Sequence, residues 1–174
     1  MTSSVQSNAC AAAGSNKKTS RAFVPVKDIR KYAALSALPV CLLALSGVIT
    51  YLTAQYEAIY LALFLVEVFV RGYAGFSVAS RMGADLLKSA VFSASVSALA
   101  EVVSSALVFI LMVSGIGPLA PLFAVSGFKP DLMLGFFLNY LFAVLVIALQ
   151  MAILGALCGI IGSFFAKKQT GEPG

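Results

Sequence analysis

Four long apolar stretches, set apart by short polar or glycine-rich breaks, constrain this chain more than any other feature. About 20 apolar residues, rising about 1.5 Å each as a helix, reach across a hydrocarbon core of roughly 30 Å. The first stretch runs over 33–54, with Pro39 near its start and Ser46 and Thr50 as polar interruptions. Gln55, Tyr56 and Glu57 turn the chain into a second stretch over 58–79. This one contains Glu67 and Arg71, so it can end at Val70 or continue through Gly72, Gly75 and Ser77 to Ala79. The third covers 87–114 and is closed by Gly115, Gly117, Pro118 and Pro121, residue types that stop helices and open loops. The loop that follows is itself apolar (Leu119, Leu122, Phe123, Val125, Phe128) and is expected to lie against a bilayer surface or a partner. The fourth stretch, 132–166, would measure on the order of 52 Å as one helix. It must tilt, project beyond the bilayer, or break near Gly135 or Asn139. The expected fold class is all-α: an integral membrane bundle of about four transmembrane helices packed through the third and fourth spans.

Composition agrees. Of 174 residues 60% are hydrophobic and 11% charged, with a mean hydropathy of +0.98, whereas a soluble domain carries about 25% charged residues. The lipid bilayer is therefore expected as part of the solvent. The length suits one domain, and no repeat of solenoid period is present. Residues 1–31, rich in Ser, Ala, Asn and Lys, read as a flexible basic tail; 32–168 form the transmembrane domain, and 169–174 a short C-terminal tail. No apolar run precedes Tyr32, so a secretory signal is not expected.

The basic residues fix an orientation. With the N-terminus in the cytoplasm, that side receives the six Lys/Arg of residues 17–31 together with Arg81, Lys88, Lys167 and Lys168. The opposite side receives only Lys129, and Arg71 is left aside because its depth is ambiguous. This bias predicts a multi-pass protein of the cell membrane or another cellular membrane with both termini cytoplasmic. It also argues against nucleic acid as a partner. The net charge of +5 sits between apolar spans rather than on one amphipathic face.

Catalytic signatures are missing. There is no GxSxG, HExxH, CxxC or glycine-rich phosphate loop. Histidine is absent, and with it the commonest general base and metal ligand. Cys10, Cys41 and Cys158 are odd in number and scattered, which does not describe a disulfide framework. No enzyme activity, catalytic residue, metal or other cofactor is expected.

Ionisable groups within spans are costly and are the first candidates for function. Glu67 and Arg71 stand four residues apart, on one helix face in the favourable acid-first order. They form either an internal ion pair that lets the span insert or half of an ion or proton pathway. Glu101 falls at the middle of the third span with no basic residue within two turns. It needs a partner on another helix, a proton, or access to water. Arg71 is the cation expected to share its depth, which suggests a Glu67–Arg71–Glu101 cluster. Gln150, near the middle of the fourth span, is placed at the same level.

Two small-residue faces are expected to carry helix contacts. Ser89, Ser93, Ser97, Glu101 and Ser105 recur every four residues, a broad stripe on one side of a helix. On the fourth span Ala148, Ala152, Gly155, Gly159 and Ser163 form a ridge that includes a GxxxG pair. Such surfaces let backbones approach closely and hydrogen-bond across the contact. Two functional classes follow, the first favoured because each polar group within the spans has an adequate packing explanation. One is a non-catalytic subunit or scaffold that uses these faces to bind copies of itself or other membrane subunits. The other is a small oligomeric transporter or channel in which Glu101, with Glu67 and Arg71, handles protons or ions.

Overall fold

The computed structural model describes residues 26–54, 56–119, 121 and 130–170. They form four helices: α1 (Val26–Leu52), α2 (Glu57–Met82), α3 (Leu86–Val113) and α4 (Pro130–Thr170). All four are long and apolar enough to cross a membrane, and no strand occurs among the described residues. The first 25 residues, and the loop at 122–129 expected to lie on a surface, fall outside the described residues.

Helix α1 begins at Val26, before the tail expected to reach residue 31, so Lys27, Arg30 and Lys31 belong to its first turns. It runs on through the buried Pro39, which removes one backbone donor without ending the helix. Helix α2 runs beyond Val70 to Met82 and stops at Gly83, whose φ of +60° is the left-handed turn that glycine adopts without strain. Asp85 then caps α3 by accepting the Lys88 backbone N–H at 2.9 Å. At the far end of α3, Gly115 and Gly117 take φ of +80° and +101°. The Tyr51 ring lies against Gly117, and its hydroxyl donates to the Ile116 carbonyl at 3.1 Å, tying the end of α1 to the exit of α3. Helix α4 does not break at Gly135 or Asn139. Its 41 residues form one helix about 60 Å long.

Helices α2 and α3 form the middle of the bundle and touch each other as well as both outer helices, whereas α1 and α4 make no mutual contact among the described residues. The most extensive contact joins α3 to α4, followed by α2 to α4. Small residues fill these contacts: Ala74, Val78, Ser89, Ser93, Ser97 and Ser163 are fully buried. Bulky side chains such as Phe69, Leu87, Phe142, Leu149 and Phe165 point outward.

Glycine makes the closest approaches possible. Gly75 of α2 and Gly159 of α4 meet backbone to backbone, with no room for a Cβ on Gly75. A Cβ on Gly159 would stand 2.7 Å from Ser93 Cβ and 2.8 Å from the Ser89 carbonyl. On Gly155 it would run into the Ser97 side chain and the Ser93 carbonyl, and on Gly162 into the Gly72 carbonyl. With Cβ removed, α4 sinks between α2 and α3. This contact covers the half of the bundle nearest the 83–85 connection. Toward the other end, Tyr140, Val144, Ile147 and Met151 of α4 line a space between the helices.

Candidate functional site: a carboxylate-bearing cavity between the four helices

The helices separate around a cavity of about 410 Å³. Its wall includes Gly47 and Thr50 of α1, Tyr60, Phe64 and Glu67 of α2, Glu101, Ser104 and Ser105 of α3, and Tyr140 and Met151 of α4. Glu67 and Glu101 lie near the middle of their helices, so the cavity starts half-way along the bundle. Tyr60 and Tyr140 stand toward the end that holds the 114–129 connection.

The two carboxylates are held differently. Glu67 Oε2 accepts from Arg71 Nη1 at 2.9 Å, and its other oxygen accepts the Ser46 hydroxyl at 2.9 Å. Arg71 is 3% exposed and Glu67 14%, so this is an interior ion pair rather than a surface one. Arg71 Nη2 also reaches the Met151 sulfur at 3.4 Å, while its Nε has no hydrogen-bond partner among the described residues. The Ser93 hydroxyl donates to the Arg71 carbonyl at 2.8 Å, fastening α3 to α2 at this point.

Among the described residues Glu101 makes no ion pair. Its contact is the Ser105 hydroxyl, which donates to Oε1 at 3.3 Å from one turn along α3. The Ser105 carbonyl accepts the Tyr140 hydroxyl at 2.6 Å, so α4 supports the turn that carries Glu101's hydrogen-bond donor. Of the expected Glu67–Arg71–Glu101 cluster, Glu67 and Arg71 form a bonded pair. Glu101 shares the cavity with Glu67 instead of bonding to Arg71.

Gln150 does not join them. It is exposed on α4, although the next residue, Met151, touches Arg71. Successive helical residues are about 100° apart, and Gln150 falls about 180° from the ridge that packs inward. Asn139 is exposed on that same outward side, three turns away. Every member of the two small-residue faces is buried or half-buried. Ser89, Ser93 and Ser97 are sealed against α4, and Ala148, Ala152, Gly155, Gly159 and Ser163 face α2 and α3. Cys158 is buried with a free thiol, and Cys41 is free and exposed.

Sequence reasoning missed several residues of the site. In the sequence Ser46 and Thr50 stand only as polar interruptions of a span, and no motif there draws Tyr140 and Met151 to the site. Tyr140 had a signal, since a tyrosine well inside an apolar helix needs a partner for its hydroxyl. Met151 had none. Among the described residues no three His, Cys, Asp or Glu side chains gather as a metal-ligand set. In comparisons with protein families, curated proteins and solved structures, nothing matches this chain.

Proposed function

We propose that the protein is a non-catalytic, multi-pass membrane protein that moves a proton or cation, with Glu101 as the group that receives it. One observation carries this reading: Glu101 lines a partly open cavity between the helices with no basic partner among the described residues, while Glu67, on the same cavity, is paired with Arg71. A carboxylate inside a bilayer is expensive unless it is paired, protonated or in contact with a cation or water. Pairing is already used by Glu67, so Glu101 is left to the other states. The inverted distribution of side chains, small inside and bulky outside, supports placement in lipid. Flux into vesicles containing the purified protein, under an imposed pH or cation gradient, tests the reading against protein-free vesicles.

A second reading, a subunit of a larger membrane assembly, is favoured by a different feature. The small-residue faces are occupied within the chain, but Asn139 and Gln150 stand on the outward face of α4 with no hydrogen-bond partner among the described residues. Carboxamides in an apolar setting hydrogen-bond across helices. A second copy or another membrane subunit would satisfy them there. This assembly is compatible with the first reading, because four helices rarely enclose a complete pathway alone.

A further inference from the structure

We propose that the cavity takes a monovalent organic cation, a protonated or quaternary amine with an apolar body, rather than a bare inorganic ion. The inference rests on the transport reading and adds the class of substrate.

Charge sets the first requirement. Glu67 and Arg71 cancel, which leaves Glu101 as the unbalanced carboxylate on the cavity wall and calls for a single positive charge. Size sets the second. At about 410 Å³ the cavity falls within the range of roughly 300–1,000 Å³ typical of small-molecule sites. A small inorganic ion would leave most of it empty. Wall chemistry sets the third. Hard cations are held by shells of about six to eight converging oxygens. Here the oxygens are spread over four helices, one of the serine hydroxyls is already given to Glu101, and Phe64, Val108, Val144, Ile147 and Met151 line the space between them.

Aromatic rings complete the match. Tyr60, Phe64 and Tyr140 all belong to the wall. Ring faces attract ammonium groups, and quaternary ammonium ligands are commonly recognised in this way. A carboxylate for the charge, rings for its rim and aliphatic side chains for the body describe an amphiphilic cation.

The experiment measures binding of tetrabutylammonium, a quaternary amine with an apolar body, to the purified protein in mild detergent, with sodium and potassium chloride as competitors. Glu101→Gln and Ala143→Phe are run beside the wild type. Ala143 lines the cavity yet is exposed, so added bulk there intrudes on the cavity without crowding the packed core. Wild type should bind saturably, Glu101→Gln should lose at least tenfold in affinity, and Ala143→Phe should weaken the bulky probe more than tetramethylammonium. Equal binding by wild type and Glu101→Gln, or displacement by millimolar sodium or potassium, would overturn the inference. Glu101-dependent proton or sodium flux without binding of either organic probe would also overturn it while leaving the transport reading intact. Absence of any flux would instead count against the transport reading itself.

Discussion

Arg71 and Glu67 meet at 2.9 Å one helical turn apart, and this bond decides how the neighbouring acid can behave. Because Arg71 is committed to Glu67, Glu101 is not needed to neutralise it. The two acids should therefore respond differently to the same substitution. Glu67→Gln leaves a buried guanidinium unpaired, and breaking a buried pair typically costs about 3–5 kcal/mol. Adding Arg71→Gln should restore much of that loss, whereas Glu101→Gln alone should unfold near the wild-type midpoint. Thermal unfolding in mild detergent reads all four proteins. A Glu101→Gln variant as unstable as Glu67→Gln would show that Arg71 depends on both acids.

The glycine contacts make the second prediction. Gly159 lies against the backbone of Gly75 on one side and the Ser89–Ser93 turn on the other. Gly159→Ala should cost about 1–3 kcal/mol through overpacking, and Gly159→Leu should sharply reduce the yield of folded protein. Gly135, with nothing near it, serves as the control: Gly135→Ala should be neutral or mildly stabilising, since alanine is the better helix former. Wild-type stability for Gly159→Leu would mean that α4 does not dock where it is placed here.

Much of this arrangement was legible in the sequence. Helix number and the inward direction of both small-residue faces follow from hydrophobicity and four-residue spacing alone. Gly72 and Gly75 were visible too, but only as markers of where the second span ends. Their role as the surface that receives Gly159 and Gly162 depends on which helices become neighbours, and periodicity within one helix carries no such information. The direction of Gln150 was not legible for a related reason. Its depth along α4 was inferred from position in the span, but its direction is set by the ridge, which turns it away from Glu67 and Glu101. The partner of Arg71 was readable from the i,i+4 spacing, while Ser46, 21 residues before Glu67, was not.

Outward carboxamides predict assembly. Gln150→Leu should lower the oligomer size measured by light scattering in mild detergent, and Asn139→Leu should add to the effect. Helix–helix hydrogen bonds of this type contribute about 0.6–2 kcal/mol each, enough to shift a dimer equilibrium by roughly threefold to thirtyfold. An unchanged size distribution for the double variant would show that this face meets lipid.

The charges at the helix ends predict an orientation. In a cysteine-free background, cysteines at Thr19 and Gln169 should be labelled only from the cytoplasmic side, and a cysteine at Ser126 only from outside. Opposite placement of the two termini would require an odd number of crossings and would break the four-span arrangement.

The most direct test of the account is the flux of Glu101→Gln in reconstituted vesicles, measured on protein shown to unfold at the wild-type temperature. Glutamine keeps the shape and a hydrogen bond to Ser105 but carries no charge and takes up no proton in this range. Wild-type protein should carry flux under a pH or cation gradient, and the variant none above the protein-free background. A folded Glu101→Gln protein that conducts as well as wild type would contradict it.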